Sequence, residues 1–548
     1  GDSQYINIPE IIKIKIQQSH QPTNQLQFVQ IPARIGLSVW NMGTFGQLKQ
    51  FGEGPVGGGG IGLALDKMSY TLLRVYDSQQ EDVIYGERPQ LIKHIIAVFK
   101  QCLKCIGTQP EFQTTVLHSN TFASHCGLGS TSNVALGVLY GLNQSFNNPF
   151  SRNELRLILA SNYVEESKEE EGKLCYGYET SMTATGAISG GMYVINDQDL
   201  SYIRSSQVND EMLSKFKVFI FSPNKEKYET VQICDKDEVD LLVRGGKSDS
   251  VQSETEKKNI IFKDILIPQL SSKCDMSIIG QSILDLQLSG GKDVEIKKQP
   301  SGEKILSLLT HCKTFENAVV YGMSSIGPST IVVCSSDVSQ QQMIEIGKQH
   351  CMDLEFITSI NTSGAVVQSF DFPKLIQFIG KPYAGKSYLC NKMKTQNIVH
   401  FAAGKILREH QKIDKFGDLV KKTMESGVVK DTGNQFTIFF IQQIFRIINS
   451  QCQCGNIIKT LLLDGFPRSA DQTKEFQKFG FVIDKVINVK VDDELRLQRA
   501  QSRTERQNEP NIQQRDEYDE TDQILVLFEN HHIIHYKGDE NELAKIIE

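Results

Sequence analysis

The chain has 548 residues, 39% of them hydrophobic and 22% charged, with a formal net charge of −7 at pH 7. This length exceeds what one hydrophobic core usually organises, which excludes a single small domain and predicts two or three domains. The small negative charge, without a strongly basic block, argues against a nucleic-acid-binding protein. The apolar runs are far shorter than the roughly 20 residues of a membrane span.

Residues 1–27 form an N-terminal extension that mixes charged residues with isoleucines. This extension lacks the charged start, apolar stretch and cleavage site of an export signal. The twelve cysteines are scattered, and only Cys102/Cys105 and Cys452/Cys454 lie close together, so a zinc site would lack a second pair at suitable spacing. The pattern predicts reduced structural thiols and a cytoplasmic or other reducing compartment, with an organelle or a larger assembly left open.

The next unit is predicted to span residues 28–369, with two subdomains that meet at about residue 200. Two stretches within it, residues 161–173 and residues 245–259, are polar and have few large apolar side chains. This is the composition of solvated loops, so we expect surface loops there, the second as an insertion. A short linker at residues 370–374 then leads into a new pattern, which places the main domain boundary at about residue 370.

From residue 370 to residue 548, short apolar runs alternate with longer helix-like segments. Five of the apolar runs are predicted to be strands: residues 375–379, 398–400, 461–464, 486–491 and 533–536. Such alternation is typical of an α/β domain in which helices wrap a parallel sheet.

The first of these strands runs into the sequence GKPYAGKS at residues 380–387, which fits G-x-x-x-x-G-K-[ST]. In such a loop, Gly380 and Gly385 let the backbone wrap around phosphates, and the helix N-terminus supplies positive potential. Lys386 would follow the transferred phosphoryl group, and Ser387 would offer its hydroxyl to magnesium. The motif predicts an ATP site; a glycine turn without a ligand is the alternative.

The segment from Leu375 to the C-terminus resembles the adenylate kinase (nucleoside monophosphate kinase) family. The resemblance rests on the phosphate loop, on DGFPR at residues 464–468 and on HFAAGKILR at residues 400–408. It implies ATP as substrate and Mg²⁺ as cofactor, with Asp464 near the metal, partly through water. It also implies an acceptor site in which Arg408 and Arg468 hold the monophosphate and Gln472 meets the adenine edge.

An arginine-bearing segment lies where this family carries its lid over the donor phosphates. The resemblance makes catalytic candidates of Arg499, Arg503, Arg506 and Arg515, with Arg503 and Arg515 favoured; a solvated helix face is the alternative. Two residues depart from the family pattern. Lys405 replaces an aspartate, which would add a cation to the magnesium environment, and Tyr388 replaces a small hydroxyl residue.

Residues 28–367 resemble the GHMP superfamily, and most closely its branch of β-ribofuranosylaminobenzene 5′-phosphate synthases. The segments that carry this resemblance, in chain order, are PAR at 32–34, GGGGIGLAL at 57–65, HCGLGSTSN at 125–133, SGG at 189–191, IPQL at 267–270 with Asp275, GMSSIGP at 322–328 and NTSGA at 361–365. The third of them contains a Gly-Leu-Gly-Ser turn that opens a helix and can present N–H groups and hydroxyls to an anion.

The candidate residues of this N-terminal phosphate loop are Gly127, Gly129, Ser130 and Ser132. In the named branch the loop would hold a phosphoribosyl-type anion; a close helix-to-strand contact that needs small residues is the alternative. Two positions depart from the branch. Asn41 replaces an acid after the first strand, and Glu179 stands where the branch has an arginine, which would repel a multiply charged anion.

The predicted fold is therefore an α+β GHMP-type unit with two subdomains, followed by an α/β P-loop kinase domain with a parallel sheet. The predicted activity is phosphoryl transfer from ATP to a nucleoside monophosphate, with AMP preferred because the amide of Gln472 can both donate and accept at an adenine edge. A catalytically reduced, nucleotide-binding scaffold with protein partners in an assembly is the alternative. A working N-terminal synthase is a third possibility.

Overall fold

The structure is a computed structural model. It describes residues 6–41, 58–78, 80–109, 111–167, 172–177, 179–205, 209–226, 251–272, 274–410, 435–502, 512, 516, 519–536, 538 and 540–547. None of the helices within these ranges is long and apolar enough to cross a membrane. Two closely spaced cysteine pairs, Cys102/Cys105 and Cys452/Cys454, consist of free thiols, and the described residues contain no group of three or more metal-binding side chains.

The first part of the chain forms a mixed sheet with helices on one face. The strands of this sheet are β1 Leu26–Ser38, β2 Gly60–Tyr76, β3 Val83–Tyr85, β4 Gln113–Asn120, β7 Met192–Ile195 and β8 Tyr202–Arg204. Two further strands, β5 Val164–Glu166 and β6 Leu174–Tyr176, pair only with each other. The helices of this part are α1 Glu10–Lys13, α2 Pro89–Cys105, α3 Ser130–Ser145, α4 Arg152–Ser161, α5 Met182–Ser189 and α6 Asp210–Leu213.

The second part packs helices against a four-stranded antiparallel sheet. Its strands are β9 Lys217–Pro223, β10 Ala318–Met323, β11 Thr330–Cys334 and β12 Met352–Ser359, in the spatial order β10-β11-β9-β12. Its helices are α7 Val251–Ile260, which continues through a π-helical turn at Ile261–Leu266, α8 Ile267–Ser271, α9 Met276–Gln287, α10 Gly290–Lys298, α11 Gly302–Thr314 and α12 Gln340–Gln349.

The chain then returns to the first sheet before it enters the last domain. Strand β13, Val366–Phe370, pairs antiparallel with β1 and completes the order β13-β1-β2-β4-β3, with β7 on β2 and β8 on β7. The end of the unit was predicted to belong to the second subdomain, which is wrong. Strand β13 instead pairs with the edge strand β1 of the first sheet. The predicted extension is not separate either, since Ile12 is fully buried in the first core.

Two predicted loops also need correction. The described part of the 245–259 stretch is helical from Val251, and residues 245–250 lie outside the described residues. One of its charged side chains is buried: Lys258 pairs with Glu254 one turn earlier at 2.9 Å and donates to the carbonyl of Val39 at 3.0 Å. Within residues 161–173, Val164–Glu166 forms β5, which pairs antiparallel with β6 just beyond this stretch.

The C-terminal domain is built on a five-stranded parallel sheet in the order β15-β16-β14-β17-β18. Its strands are β14 Lys374–Ile379, β15 Ile398–Ala402, β16 Thr460–Asp464, β17 Lys485–Val489 and β18 Ile533–Tyr536. Its helices are α13 Lys386–Lys392, α14 Ala403–His410, α15 Gln435–Gln453, α16 Ala470–Lys478, α17 Asp493–Gln501, α18 Thr521–Leu525 and α19 Glu540–Ile547, with a 3₁₀ turn at Asn530–His532. The α/β fold with a parallel sheet is confirmed, and each of the five predicted strands is found.

The two ends of the chain share one hydrophobic core. The face of the first sheet that α2, α3 and α4 leave uncovered packs against α15, an apolar helix, and against aromatic residues that follow β13 and α16. The buried residues contributed by the sheet are Leu26, Phe28, Leu72, Tyr76, Val83 and Leu117; those contributed by the C-terminal domain include Phe436, Phe440, Ile444, Phe445 and Phe481. A parallel α/β domain and a mixed sheet are thus joined by core packing rather than by a linker alone.

Polar contacts fix the register of this interface. The guanidinium of Arg74 lies between the rings of Tyr76 and Phe372, 4.5 and 4.4 Å from their centroids. Gln442 on α15 donates to the carbonyl of Ile84 in β3 at 3.2 Å. Gly480 has a left-handed φ of +82°, and a Cβ there would come within 2.4 Å of the Tyr76 ring, so no larger residue fits this approach.

Phe445→Ala tests whether the two domains unfold together. We expect it to lower the free energy of unfolding by about 3–5 kcal/mol, because a fully buried ring in the shared core is lost. Trp40 is the chain's single tryptophan and lies in the N-terminal unit, stacked on Phe262, so its fluorescence reports that unit alone. In Phe445→Ala, the denaturant midpoint followed by Trp40 fluorescence should fall together with the midpoint followed by far-UV circular dichroism.

Val526→Ala is the matched control, since Val526 is 81% exposed and its truncation should leave both midpoints in place. A Trp40 transition that stays at its wild-type midpoint in Phe445→Ala would contradict a shared core.

Candidate functional site

The phosphate loop lies between β14 and α13, at the carboxyl end of the central strand. Gly380 has φ +132°, and a Cβ there would come within 2.4 Å of the carbonyl oxygen of Val489 on β17. Gly385, with φ +105°, is the residue before α13, and a Cβ there would come within 3.1 Å of Arg499. Both predicted loop glycines therefore occupy positions where the backbone conformation and the available space both disfavour a side chain.

Lys386 begins helix α13 and folds back over the loop. Its ammonium donates to the carbonyl oxygen of Gly380 and, at 3.1 Å, to that of Lys381. A mobile cation is thereby held directly above a helix N-terminus, where the field favours an anion. This is the arrangement that a polyphosphate chain requires.

Ser387 and Asp464 come together beside the loop. Strand β16 pairs with β14 in parallel, so Asp464 stands opposite Phe378, two residues before Gly380. The Ser387 hydroxyl donates to Asp464 Oδ2 at 2.5 Å, and His400 Nε2 lies 3.2 Å from the same oxygen. Because β15 and β16 also run parallel, three neighbouring strands bring these groups to one edge of the sheet.

The environment of Asp464 favours the carboxylate. Burial raises its pKa, but hydrogen bonds from His400 and Ser387, together with the charge of Lys386, outweigh burial and hold the pKa of Asp464 below its ordinary value. The sequence pointed to Ser387 and Asp464 but not to His400 as their partner. A histidine two residues before the end of a neighbouring parallel strand was the available signal.

The residues present fit a magnesium ion. Mg²⁺ prefers oxygen ligands and is usually held by one or two protein groups together with substrate phosphates. The Ser387 hydroxyl and the Asp464 carboxylate supply two such oxygens at the foot of the loop.

The acceptor candidates lie on two elements. Arg468 and Gln472 follow the DGFPR turn, where Gln472 Oε1 accepts from the backbone N–H of Arg468 at 2.8 Å. The Gln472 side chain is 2% exposed, and its Nε2 has no hydrogen-bond partner. Arg408 lies exposed in the last turn of α14. The structure thus orders Gln472 beside Arg468 and presents Arg408 from the neighbouring strand–helix unit.

Lys405 differs from the expectation. Its side chain is 72% exposed and forms an ion pair with Glu409, one turn further along α14, at 3.9 Å, rather than with Asp464. The charge of Lys405 is therefore directed along the exposed face of the helix. The expected cation in the magnesium environment is not found.

Helix α17 contacts the backbone of the loop through two arginines. Arg499 donates to the carbonyl oxygens of Tyr383 at 3.3 Å and Ala384 at 2.9 Å. Arg496, which belongs to the same arginine-bearing segment but was not among its catalytic candidates, is buried and donates to the carbonyl of Pro382 at 2.9 Å. Arg503, Arg506 and Arg515 lie outside the described residues, so their predicted roles in the lid stay predictions.

A second cleft lies in the N-terminal unit, at the predicted phosphate loop. Gly127 and Gly129 both have left-handed φ angles, +89° and +81°, and Ser130 begins α3. Arg34 donates to the carbonyl of Gly127 at 3.0 Å, and Arg88 approaches Ser130 Oγ at 3.4 Å. The cleft is also lined by Lys258 and Lys292 from the second subdomain.

A carboxylate already occupies the centre of this cleft. The Ser132 hydroxyl donates to Glu179 Oε2 at 2.6 Å, and Glu179 is 3% exposed. Burial raises the pKa of Glu179, against the lowering effects of the Ser132 hydroxyl, the Arg34 charge and the backbone N–H of Ser181. Two helix N-termini, those of α3 and α5, therefore meet on one internal acid. Asn41, the other departure, donates to Asp197 at 3.2 Å.

Asp464→Asn tests the electrostatics of the kinase site. At pH 7 we expect it to lower the free energy of unfolding by about 1–3 kcal/mol, because hydrogen bonds to a buried charge are weakened. A carboxyl whose folded-state pKa is depressed stabilises the protein above its ordinary pKa, near 3.8, and loses that stabilisation as the pH falls through the folded value. The difference between wild type and variant in urea unfolding should therefore shrink below about pH 4.

Asp471→Asn removes an exposed carboxylate from the first turn of α16 and should change the free energy of unfolding by no more than about 0.5 kcal/mol. A gap between wild type and Asp464→Asn that stays constant down to pH 3 would show that Asp464 carries no net electrostatic stabilisation.

Comparison with known families agrees with both halves of this arrangement. Residues 378–534 match the family described as adenylate kinase, and residues 90–172 match the GHMP kinases N terminal domain. Adenylate kinases from Francisella philomiragia subsp. philomiragia and Francisella tularensis subsp. novicida are each 32% identical over 130 residues, which is 23% of this chain and 56% of theirs. The chain thus spans about half the length of these relatives.

Solved structures similar to the N-terminal part include two enzymes. Homoserine kinase from Cytophaga hutchinsonii matches at 16% identity and a TM-score of 0.46, over 64% of this chain and 100% of its own. Mevalonate diphosphate decarboxylase from Staphylococcus aureus matches at 14% identity and a TM-score of 0.47, over 63% and 98%. The family matches confirm the two resemblances read from the sequence: the C-terminal region carries the adenylate kinase pattern, and the N-terminal region carries the GHMP kinase pattern.

Proposed function

We propose that the C-terminal domain transfers a phosphoryl group from ATP to a nucleoside monophosphate, with AMP as the preferred acceptor. The observation that carries this proposal is the Ser387–Asp464 contact at the foot of the Lys386 loop. Phosphoryl transfer needs little covalent chemistry from the protein; it needs two phosphate chains in line and charge neutralised at the group in transit. The loop offers a place for one chain, and Arg408 and Arg468 offer a place for the other.

Each residue has a distinct task in this proposal. The loop N–H groups bind the donor phosphates, and Lys386 leaves the carbonyls of Gly380 and Lys381 to follow the phosphoryl group. Ser387 and Asp464 would hold magnesium, which supplies neutralisation of the phosphate oxygens when it is bound. His400 keeps the Asp464 carboxylate oriented and ionised.

The preference for AMP rests on Gln472. Its buried Nε2 lacks a hydrogen-bond partner, and an unsatisfied buried donor costs about 1–3 kcal/mol. An adenine ring offers nitrogen acceptors beside an amino group, so it can receive this donor. Binding of the base would then satisfy this donor.

The exposed position of Lys405 supports catalysis over the scaffold alternative. The chief sequence argument for reduced activity was a cation in the magnesium environment, and Lys405 pairs with Glu409 instead. Protein partners in an assembly remain compatible with an active kinase domain.

Lys386→Ala tests the proposed reaction in a coupled assay with ATP and each nucleoside monophosphate. We expect wild type to be most active with AMP. The variant should lose about 10²–10³-fold in kcat, because the charge that follows the transferred group is removed. Lys392→Ala, at the far end of the same helix, removes a lysine without touching the loop and serves as the matched control.

The acceptor half of the site is tested in the same assay. Arg468→Ala should raise KM for AMP much more than KM for ATP. Wild-type protein that transfers nothing to any monophosphate while it still binds ATP would favour the scaffold.

For the N-terminal cleft we propose that Glu179 prevents binding of a multiply charged phosphoribosyl-type anion. The carboxylate takes the Ser132 hydroxyl and faces the Arg34 charge, which are the groups that such an anion would need. A buried carboxylate and a polyphosphate at the same place repel each other. This half of the chain then contributes structure rather than synthase activity.

Glu179→Gln tests this proposal with inorganic pyrophosphate as the probe, by calorimetry in a Lys386→Ala background that weakens the kinase site. We expect binding about tenfold tighter than without the Glu179 change at pH 8, because one like charge is removed. Burial raises the pKa of Glu179. Protonation of Glu179 on acidification should therefore make the pyrophosphate affinities of the two proteins converge.

Glu165→Gln, a change at another buried acid of the same cleft, is the control for a general gain of positive charge. Tight pyrophosphate binding that depends on neither Glu179 nor pH would support the synthase instead.

A further inference from the structure

Arg496 is among the largest fully buried side chains described. It lies on α17, and its guanidinium uses all three nitrogens: Nε donates to the carbonyl of Pro382 at 2.9 Å, Nη1 to Asp493 at 2.5 Å and Nη2 to Asp516. Burial of a charge is costly unless every donor is satisfied with good geometry. The buried guanidinium of Arg496 thus joins three segments: α17, Asp516 twenty residues further along the chain, and the phosphate loop.

The loop needs such a support. Tyr383 has a left-handed φ of +64°, a strained conformation for a residue with a large side chain. Such a conformation persists only where the surrounding structure determines it. Arg496 and Arg499 together bind three consecutive carbonyl oxygens, those of Pro382, Tyr383 and Ala384.

The direction of these carbonyls decides where the loop amides point. A trans peptide unit is planar, and its C=O and N–H point in opposite directions. Because the three carbonyls face α17, the N–H groups of residues 383–385 are turned away from it. Of these, the Ala384 N–H closes a turn onto Lys381 at 3.2 Å. The N–H groups of Tyr383 and Gly385 are thereby turned to the side of the loop opposite α17.

We propose that Arg496 is a positioning residue for phosphoryl transfer: it holds the loop backbone in the phosphate-binding conformation from behind and ties it to Asp516. The inference rests on the proposed kinase activity and deepens it. At 2% exposure, Arg496 acts through Pro382 and not by contact with the nucleotide. It differs from Arg499, which binds the carbonyl oxygens of Tyr383 and Ala384 and whose guanidinium would lie 3.1 Å from a Cβ at Gly385.

The test compares Arg496→Ala, Arg496→Lys and Asp516→Asn with wild type. ATP binding is measured by calorimetry at fixed magnesium, kcat and both KM values by the coupled assay, and the unfolding midpoint by circular dichroism. We expect Arg496→Ala to raise the ATP Kd about tenfold and to lower kcat, with KM for AMP unchanged. Arg496→Lys keeps the charge but loses the planar fork, so it should restore folding more than ATP affinity.

Arg156→Ala is the matched control. Arg156 is another buried arginine, in the N-terminal unit, and donates to the carbonyl of Leu200, so its loss should lower the unfolding midpoint without a change in ATP Kd. Asp516→Asn leaves the arginine in place and serves if Arg496→Ala does not fold; we expect it to weaken ATP binding severalfold.

The positioning role would be overturned, while the proposed kinase stands, if Arg496→Ala and Asp516→Asn both kept wild-type ATP affinity and kcat. If Arg496→Ala does not fold, the same result in Asp516→Asn alone would overturn it. A wild-type protein that binds no ATP would overturn the proposed function, and this inference with it.

Discussion

The structure depends on one shared hydrophobic core, in which α15 covers the face of the first sheet that its own helices leave open. Strands β1, β2 and β4 bury side chains on both faces: one face packs against α2 and α3, the other against aromatic residues of the C-terminal domain. A sheet whose second face met water would expose Phe28, Leu72 and Leu117, an apolar area too large to leave uncovered. The fused chain resolves this by using one domain as the missing layer of the other.

The same packing connects α15 with segments near both glycine loops. Gln442 of α15 binds the backbone of β3, and three residues after that strand Arg88 contacts His125 and Ser130 of the N-terminal loop. On the kinase side, Phe439 of the same helix packs edge-on against His410, at the end of the helix that carries Arg408. A single helix therefore contacts both the end of α14, which carries the proposed acceptor residue Arg408, and strand β3 of the N-terminal sheet.

Local signals in the sequence predicted the features that depend on local structure. The five parallel strands followed from short apolar runs, and the loop at residues 380–387 followed from a motif whose glycines have local reasons to be glycine. The features that were missed depend on partners distant in sequence. Arg496 binds Asp516 and the carbonyl of Pro382, and Lys258 on α7 binds the carbonyl of Val39, 219 residues earlier. Composition alone makes such segments look solvated.

The two glycine loops have similar local geometry but differ in where the neighbouring carboxylate lies. Each places a glycine turn before a helix N-terminus and a serine hydroxyl nearby, so both create positive potential. In the C-terminal loop the nearest acid, Asp464, lies beside the loop, where it can serve a metal that accompanies the phosphate. In the N-terminal loop the Ser132 hydroxyl donates to Glu179, whose carboxyl also interacts with the Arg34 charge. On the proposal made above, this internal acid opposes an anion at the N-terminal loop, whereas Asp464 would accompany an anion at the C-terminal loop through a metal ion.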